Sequence, residues 1–492
     1  MAGTTESRVR LVEHRRSTHF IQTSPPNTAP VISGNCRTRR IKCDEKKPCG
    51  HCTRKGLECK QTDFIVQDKW SKSAAAHTTP RNESTSEAVG LSTGCNLEST
   101  YEVFQQVHTN SQRESRCSPQ PALSQVKVTE ESAHLLRIYQ NGIATWMDIL
   151  DHSLSYQRHV VRHALSSSLL LHAICALSAK QMSLVGEAFL WQPVSSRYYG
   201  ESLGLLIKEV TERETSREVI LSATILLCSY ELLALPGPDY QRHMYGACTL
   251  IKTYDISANS SRLEQASFWI FARQDVALAV ANECPTLIPP GEWPLVPGIE
   301  EAEEDHLGNR MLWFLARILE FKFSPTMDGC SRTKAQGLWS LSAEIDLWWK
   351  NLPLSVRGVV TTDAKDDGLA KMWFCVPSAA ARRLYYHMAK IIIFEGLLER
   401  STDPSLGTSE DTLSANDLHL QAQAIALICL SQGLPEAVLP VAVNPLFYAA
   451  RHIQSLSLKT KLWAVLDQIE NRLGFHTQNR VALLQKELVH YA

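Results

Sequence analysis

The sequence predicts a mostly α-helical protein with a small zinc-cysteine cluster module, a disordered linker and a large all-helical domain. Three observations support this fold class. Five of the 14 cysteines are crowded between Cys36 and Cys59. The stretch that follows them is dominated by Ser, Thr, Gln, Asn and Glu. From about residue 131 onwards, apolar residues recur at helical spacing.

The composition is that of a folded protein with more than one structured unit. A chain of 492 residues is too long for a single ordinary core, and its 44% hydrophobic and 21% charged residues are typical of globular proteins. The formal net charge is -1, yet nine Lys/Arg and three Asp/Glu lie between Cys36 and Lys60. This local basic excess in a neutral chain indicates a binding site for a polyanion.

Residues 1–32 are polar and show no periodic pattern, which predicts a disordered N-terminal segment. No apolar signal-peptide core is visible there. The longest apolar stretch, Val219 to Leu235, contains Ser222, Ser229 and Glu231, which favours a buried helix over a membrane span. We therefore expect no membrane partner and no disulfides, and the nine scattered cysteines are interpreted as small buried hydrophobic residues.

Residues 33–60, SGNCRTRRIKCDEKKPCGHCTRKGLECK, form the cysteine module. Its cysteines are spaced C-x6-C-x5-C-x2-C-x6-C, and thiolates at such spacing in a reducing compartment are zinc ligands. A segment this short cannot bury a core, so metal binding must supply much of its folding free energy, on the order of 10–16 kcal/mol. The predicted ligands are Cys36, Cys43, Cys49, Cys52 and Cys59.

Residues 61–130 have the composition of a disordered linker, as in the segment SAAAHTTPRNESTSE. No heptad repeat follows the cysteine module, so the sequence predicts no coiled coil there. It leaves the oligomeric state open.

Residues 131–492 are predicted to form one large all-helical domain. Val219, Ala223, Leu226 and Tyr230 illustrate the helical spacing, and the segment Pro236-Gly237-Pro238 ends that run. Leu384, Met388 and Ile391 follow the same spacing. Alternating strand patterns are nearly absent. The Trp and Tyr residues at helical spacing are interpreted as core residues.

The domain gives no clear indication of an enzyme. Neither a Walker phosphate loop nor an H-E-x-x-H zinc motif occurs, which predicts that the protein is not an enzyme. The segment TTDAKDDG is interpreted as a solvated polar loop rather than a metal site. The acidic residues of that segment are Asp363, Asp366 and Asp367. A second acidic run is also interpreted as a solvated loop rather than a partner-binding site, and it consists of Glu300, Glu301, Glu303, Glu304 and Asp305.

The cysteine module resembles the fungal binuclear zinc cluster family, whose pattern is C-x2-C-x6-C-x5-12-C-x2-C-x6-8-C. The resemblance covers about 28 residues and extends to basic residues, Asp44 and Pro48 beside the cysteines. It implies Zn²⁺ as the cofactor, with two ions per cluster, and double-stranded DNA with CGG-like triplets as the partner. It also implies a nuclear regulator of RNA polymerase II transcription.

One position departs from the family pattern. Ser33 stands where the family has its first cysteine. By position, Cys36, Cys43 and Cys49 would bind one zinc, while Cys49, Cys52 and Cys59 would bind the other, so each ion lacks its fourth ligand. Three explanations remain open. Water, Ser33 or His51 could replace the missing thiolate, with fewer or more weakly held zinc ions. Alternatively, the exon boundary is misplaced, or the protein has lost DNA binding.

The resemblance also assigns the DNA contacts. Arg39 and Arg40 occupy the positions of the family's base-contacting pair, and Arg37 and Lys42 lie near phosphates. The chemistry agrees, since Arg is bidentate to guanine in the major groove and phosphate contacts add affinity without sequence information. The alternative is that this basic run serves only as a nuclear-localisation signal.

Eight segments between residues 133 and 490 resemble, in order, the fungal-specific transcription factor domain. They begin with HLLRIYQNGIATWMDILD and end with LGFHTQNRVALLQKEL. This resemblance implies a helical regulatory domain that works with transcription machinery or co-regulators. The alternative function is a regulator whose degenerate zinc cluster no longer binds DNA and which acts through protein partners.

Overall fold

The computed structural model describes residues 53–55, 126–212, 215–233, 241–298, 303–324, 331–361, 371–401, 415–431 and 434–491. The chain divides into two units, Met1–Ser115 and Arg116–Ala492. In the first unit, the described residues are Thr53, Arg54 and Lys55, of which the first two are helical and all three are exposed.

The described part of the second unit is mostly α-helical, which confirms the predicted fold class. Its first eight helices are α1 (Glu130–Asn141), α2 (Ile143–Met147), α3 (Val161–Ala164), α4 (Ser168–Val185), α5 (Ala188–Glu212), α6 (Arg217–Leu233), α7 (Gln241–Tyr254) and α8 (Arg262–Asn282). The others are α9 (Glu304–Phe323), α10 (Ser331–Asn351), α11 (Pro377–Ser401), α12 (Ala415–Cys429), α13 (Leu439–His452), α14 (Leu456–Leu473) and α15 (Gln478–Tyr491). Short 3₁₀ segments cover Asp148–Leu150, Pro290–Glu292, Leu354–Val356 and Glu436–Val438, and a π-helical turn covers Ser155–Val160.

Local hydrogen bonds determine where several helices begin. Thr129 caps α1 and forms a reciprocal capping box with Ser132. Ser261 caps α8 and forms one with Glu264. These caps satisfy backbone N–H groups that a helix start leaves without a partner. Helix α14 ends at Gly474, whose φ of 77° is a left-handed conformation that favours glycine.

Helix α4 lies at the centre of the first half of this unit. It packs against α5, α6 and α1, and residues such as Leu170, Ile174 and Leu177 are fully buried. By length and composition it is apolar enough to cross a membrane, but 67% of it is buried inside the protein. The apolar character of α4 is therefore that of a core helix. Helix α6 is also buried, continuously from Val219 to Cys228, which confirms the helix predicted for that stretch.

Helix α11 has the same central role in the second half. It packs against α9, α10, α12 and α13. Leu384, Met388 and Ile391, whose spacing predicted a helical core face, are at most 1% exposed. The two central helices thus supply the surfaces on which the outer helices are arranged.

A short β-hairpin departs from the predicted all-helical domain. Strands β1 (Val359–Thr361) and β2 (Lys371–Trp373) pair antiparallel, with Val360 opposite Met372. The backbone N–H of Met372 donates to Ser431 Oγ at 2.8 Å, which ties the hairpin to the end of α12. Three-residue strands are too short to produce a visible alternating pattern. Asp363, Asp366 and Asp367 lie outside the described residues, between the strands.

Candidate functional site

The predicted zinc and DNA-binding residues all lie outside the described part of the chain. These are Cys36, Cys43, Cys49, Cys52 and Cys59 for the metal, and Arg37, Arg39, Arg40 and Lys42 for DNA. The described residues that follow Cys52 include the basic side chains of Arg54 and Lys55, both exposed. Exposed basic groups beside the cysteines agree with a surface that faces a polyanion.

Within the described helices of the second unit, a cavity of about 130 Å³ lies where α2, α4, α6, α8, α11 and α13 converge. Most of its wall is apolar, including Leu177, Leu232 and Met388. Trp146 and Phe475 close one side with ring centroids 5.4 Å apart. The remaining wall carries the polar side chains of Ser229, Arg273, Gln274, Tyr385 and Asn444.

Arg273 is the cation of this cavity. Its Nη2 donates to the backbone carbonyl oxygens of Trp146 and Met147, each at 3.1 Å, and so fixes the end of α2. No carboxylate among the described residues lies within ion-pair distance of it. Burial lowers the pKa of Arg273, and the nearby Asp148 opposes this shift. The guanidinium is therefore a cation in apolar surroundings without a directly paired anion.

Asp148 lies just beyond the end of α2 and is itself buried. Its carboxylate accepts hydrogen bonds from the backbone N–H groups of Tyr156 at 2.9 Å and Gln157 at 2.8 Å. Burial nevertheless raises its pKa to about 7. The negative charge that could balance Arg273 is thus weakened near neutral pH.

Other polar groups of the cavity also lack partners within the described residues. The indole Nε1 of Trp146 and the Oε1 of Gln274 are buried without a hydrogen bond. The hydroxyl of Tyr385, on a side chain only 5% exposed, belongs to the same cavity wall. An unpaired buried polar atom costs about 1–3 kcal/mol, so a ligand that bonded the two atoms lining this cavity would recover part of that cost.

The acidic run predicted to be a solvated loop is helical at Glu304 and Asp305, so that interpretation is wrong for these two residues, while Glu300 and Glu301 lie outside the described residues. These two residues begin α9, where carboxylates stabilise the positive end of the helix dipole. Asp305 Oδ2 also accepts the backbone N–H of His152 at 3.0 Å. Ligand atoms of His152, Glu303 and Glu304 lie within 4.8 Å of one another, a largely exposed grouping for which the structure gives no further sign of a metal.

One enzyme-like pattern was missed from the sequence. Gly200-Glu201-Ser202-Leu203-Gly204 matches the G-x-S-x-G elbow of serine hydrolases. That elbow requires an exposed serine on a sharp strand-to-helix turn. Here the segment lies inside α5, and Ser202 is completely buried. The pattern is therefore part of the helix packing and gives no nucleophile.

The interpretation of aromatic and sulfur side chains as core residues is confirmed for most of those described. Trp146, Trp293 and Trp348 are at most 7% exposed, whereas Trp339 and Trp373 lie at the surface. Of the described cysteines, three are buried and two half-buried, while Cys375 is exposed, contrary to expectation. Burial raises the pKa of the Cys429 thiol, which keeps it protonated and unreactive.

His387 on α11 is a buried histidine held in its neutral form. Its Nδ1 lies 2.8 Å from Gln421 Oε1, and its Nε2 accepts from Arg383 Nε at 3.4 Å. Burial, together with the Arg383 charge, lowers its pKa to about 4. The unfolded chain binds the proton near pH 6.5, so the stability contributed by neutral His387 is lost as the pH falls from about 6.5 to 4.

We therefore expect His387→Gln to reduce the acid sensitivity of the full chain. Between pH 8 and pH 5, the wild type should lose about 2 kcal/mol more unfolding free energy than the variant. Urea unfolding followed by circular dichroism across this range measures the difference. His134→Gln, which replaces an exposed histidine of α1, is the control and should keep the wild-type dependence of unfolding free energy on pH. If the unfolding free energy of His387→Gln changes with pH as much as that of the wild type, His387 is not the buried neutral group inferred here.

Two protein-family models match the chain. The fungal Zn(2)-Cys(6) binuclear cluster domain covers residues 34–67, and the fungal specific transcription factor domain covers residues 134–319. Both matches are to domains of fungal transcription factors. The zinc-cluster domain belongs to a family that binds zinc, and both matched families are transcription factor domains rather than enzyme families.

One curated relative is described as a transcription activator. Transcription activator AMTR1 of Alternaria alternata is 21% identical over 502 residues, covering 75% of this chain. The chain spans 65% of the length of that relative. No solved structure matches the chain significantly.

The sequence located the zinc-cluster domain but gave no sign of the cavity. Cysteines at fixed spacing are visible in a short segment, whereas Trp146, Arg273 and Tyr385 are far apart in the chain. Their meeting depends on how α2, α8 and α11 pack. The only available signal was an arginine and a glutamine within the apolar run of α8, which a sequence alone cannot distinguish from a solvated helix face.

Proposed function

We propose that this protein is a zinc-dependent, sequence-specific DNA-binding regulator of RNA polymerase II transcription that acts in the nucleus. The observation that carries the proposal is the pairing of a zinc-cluster domain with a fungal transcription factor domain in one chain. The local basic excess around the cysteines supports it, because phosphate neutralisation supplies much of the affinity for DNA. The relative is itself named a transcription activator.

The proposed metal site consists of the five thiolates of the cysteine module. Thiolates are the ligands that select zinc, and a module of this size depends on the metal for its fold. The zinc ions would hold the basic segment in a fixed shape. Arg39 and Arg40 then contact guanines of CGG-like triplets, while Arg37 and Lys42 contact phosphates.

A regulator that acts only through protein partners is the second candidate, and Ser33 is the observation that favours it. With serine at the first ligand position, the two ions share five thiolates instead of six. A loosened cluster would leave the DNA-contacting segment without a rigid frame. In that case, the helical domain would carry the function through transcription machinery or co-regulators.

Selection of bound duplexes from a random double-stranded DNA pool tests the two candidates. We expect the full chain, purified with zinc, to enrich sequences that contain CGG triplets, and a strong chelator to abolish the enrichment. The Ser33→Cys variant, selected in parallel, should enrich the same triplets with tighter binding. Failure of both proteins to enrich any sequence would overturn the DNA-binding function and favour the partner-only regulator.

A further inference from the structure

We propose that the cavity between α2, α8, α11 and α13 is a binding site for a small carboxylic acid with an apolar body. The inference does not rest on the proposed function, since it concerns the helical unit alone and is tested without DNA. It assigns a ligand class to a site that neither the cysteine module nor the family comparisons point to.

The charge of the site calls for an anion. Arg273 lines the cavity, and its Nη1 and Nε have no hydrogen-bond partner within the described residues, while Nη2 is held by two backbone carbonyls. The held Nη2 orients the guanidinium, and the other nitrogens keep donors available. Nη1 and Nε do not form a fork with each other because Cδ lies between them, so each can donate singly to a carboxylate oxygen, in hydrogen bonds that the positive charge strengthens. A bound carboxylate would supply the paired anion that the protein itself does not provide.

The neighbouring polar groups favour the same ligand. The Trp146 indole N–H is a further hydrogen-bond donor without a partner, and the hydroxyl of Tyr385, which also lines the cavity, can donate as well. Donors outnumber the acceptor, Gln274 Oε1, whose amide nitrogen already donates to Ser229 Oγ at 2.7 Å. An excess of donors around one cation is suited to an acidic group and poorly suited to an amine.

The size and the remaining wall describe the body of the ligand. A volume of about 130 Å³ is comparable to engineered protein cavities, of about 150 Å³, that hold a benzene molecule. Leu177, Met388 and the ring of Phe475 provide the apolar surface around it. Pockets for small ligands combine such an apolar wall with a few polar groups that fix orientation. One six-membered ring or a short branched chain would therefore fit beside the carboxylate.

Titration calorimetry on the full chain at neutral pH, with benzoate and benzamide as the probes, tests the proposal. The two molecules share shape and ring, but only benzoate is an anion. We expect benzoate to bind, and benzamide to bind at least about tenfold more weakly, because hydrogen bonds to a charged group are worth more than neutral ones. Absence of benzoate binding at millimolar concentrations, or equal binding of the two probes, would overturn the proposal.

Two variants locate the binding within the cavity. Arg273→Met keeps the apolar volume and removes the charge, so it should weaken benzoate by about tenfold or more and abolish the preference over benzamide. Arg262→Met, on an exposed residue of the same helix, is the matched control and should change neither affinity.

Because Arg273 also fixes α2, its replacement could unfold the domain. Ala277→Leu leaves Arg273 in place and fills part of the cavity, so it should weaken both probes together. Circular dichroism establishes which variants are folded. Unchanged benzoate affinity in a folded Ala277→Leu protein would place the binding elsewhere and overturn the assignment.

Discussion

Replacing Cys49 with serine should remove both zinc ions and abolish sequence-specific DNA binding in a single step. In the proposed ligand set, Cys49 is the thiolate shared by the two ions, because Ser33 stands at the other shared position. Its loss leaves two thiolates for each ion, too few for a four-coordinate zinc site. Since structural zinc contributes on the order of 10–16 kcal/mol, the module should then fail to fold.

Zinc content per purified chain, measured by mass spectrometry of the metal, checks this prediction. Cys375→Ser is the control, because it removes an exposed thiol of the helical unit and should keep the wild-type zinc content and DNA binding. Cys52→Ser should lose one ion more readily than the other, since Cys52 belongs to one ion by position. If Cys49→Ser retains as much zinc as Cys52→Ser, then Cys49 is not shared and the ligand assignment is wrong.

Much of the helical architecture could be predicted from the sequence because long amphipathic and apolar runs depend on local spacing. The helix at Arg217–Leu233 and the buried face of α11 illustrate this. The hairpin at Val359–Trp373 could not be predicted, since its strands are three residues long and depend on contact with Ser431. The start of α9 was mistaken for a loop because acidic residues favour both solvated loops and the first turn of a helix.

The zinc-cluster domain and the cavity also differ in how far they could be predicted from the sequence. The zinc-cluster domain could be found from its sequence because metal ligands in a small module lie close together along the chain. The cavity could not, because Trp146 and Arg273 meet only through the packing of helices that are distant in sequence. Ser202 shows that a short motif is not sufficient, since its G-x-S-x-G surroundings match a catalytic pattern but the serine is buried inside α5.

The second large effect concerns the recognition of DNA. Arg39→Ala combined with Arg40→Ala should abolish the preference of the protein for CGG-containing duplexes over scrambled ones. Each bidentate contact from Arg to guanine is worth roughly 1–3 kcal/mol of discrimination, so the loss of both should reduce the preference by at least about thirtyfold. Non-specific affinity should fall less, because the module contains other basic residues that can pair with phosphates.

Lys42→Ala is the matched control, since it also removes a positive charge from the basic segment, but from a residue proposed to contact a phosphate and not a base. It should weaken binding to all duplexes alike and lower the salt dependence by about one phosphate contact. Band-shift titrations at two salt concentrations, with the CGG and scrambled duplexes, separate the two effects. Performing them in the Ser33→Cys background ensures a complete set of six thiolates. If that protein shows no preference between the duplexes, the DNA-reading role of Arg39 and Arg40 fails and regulation through protein partners takes its place.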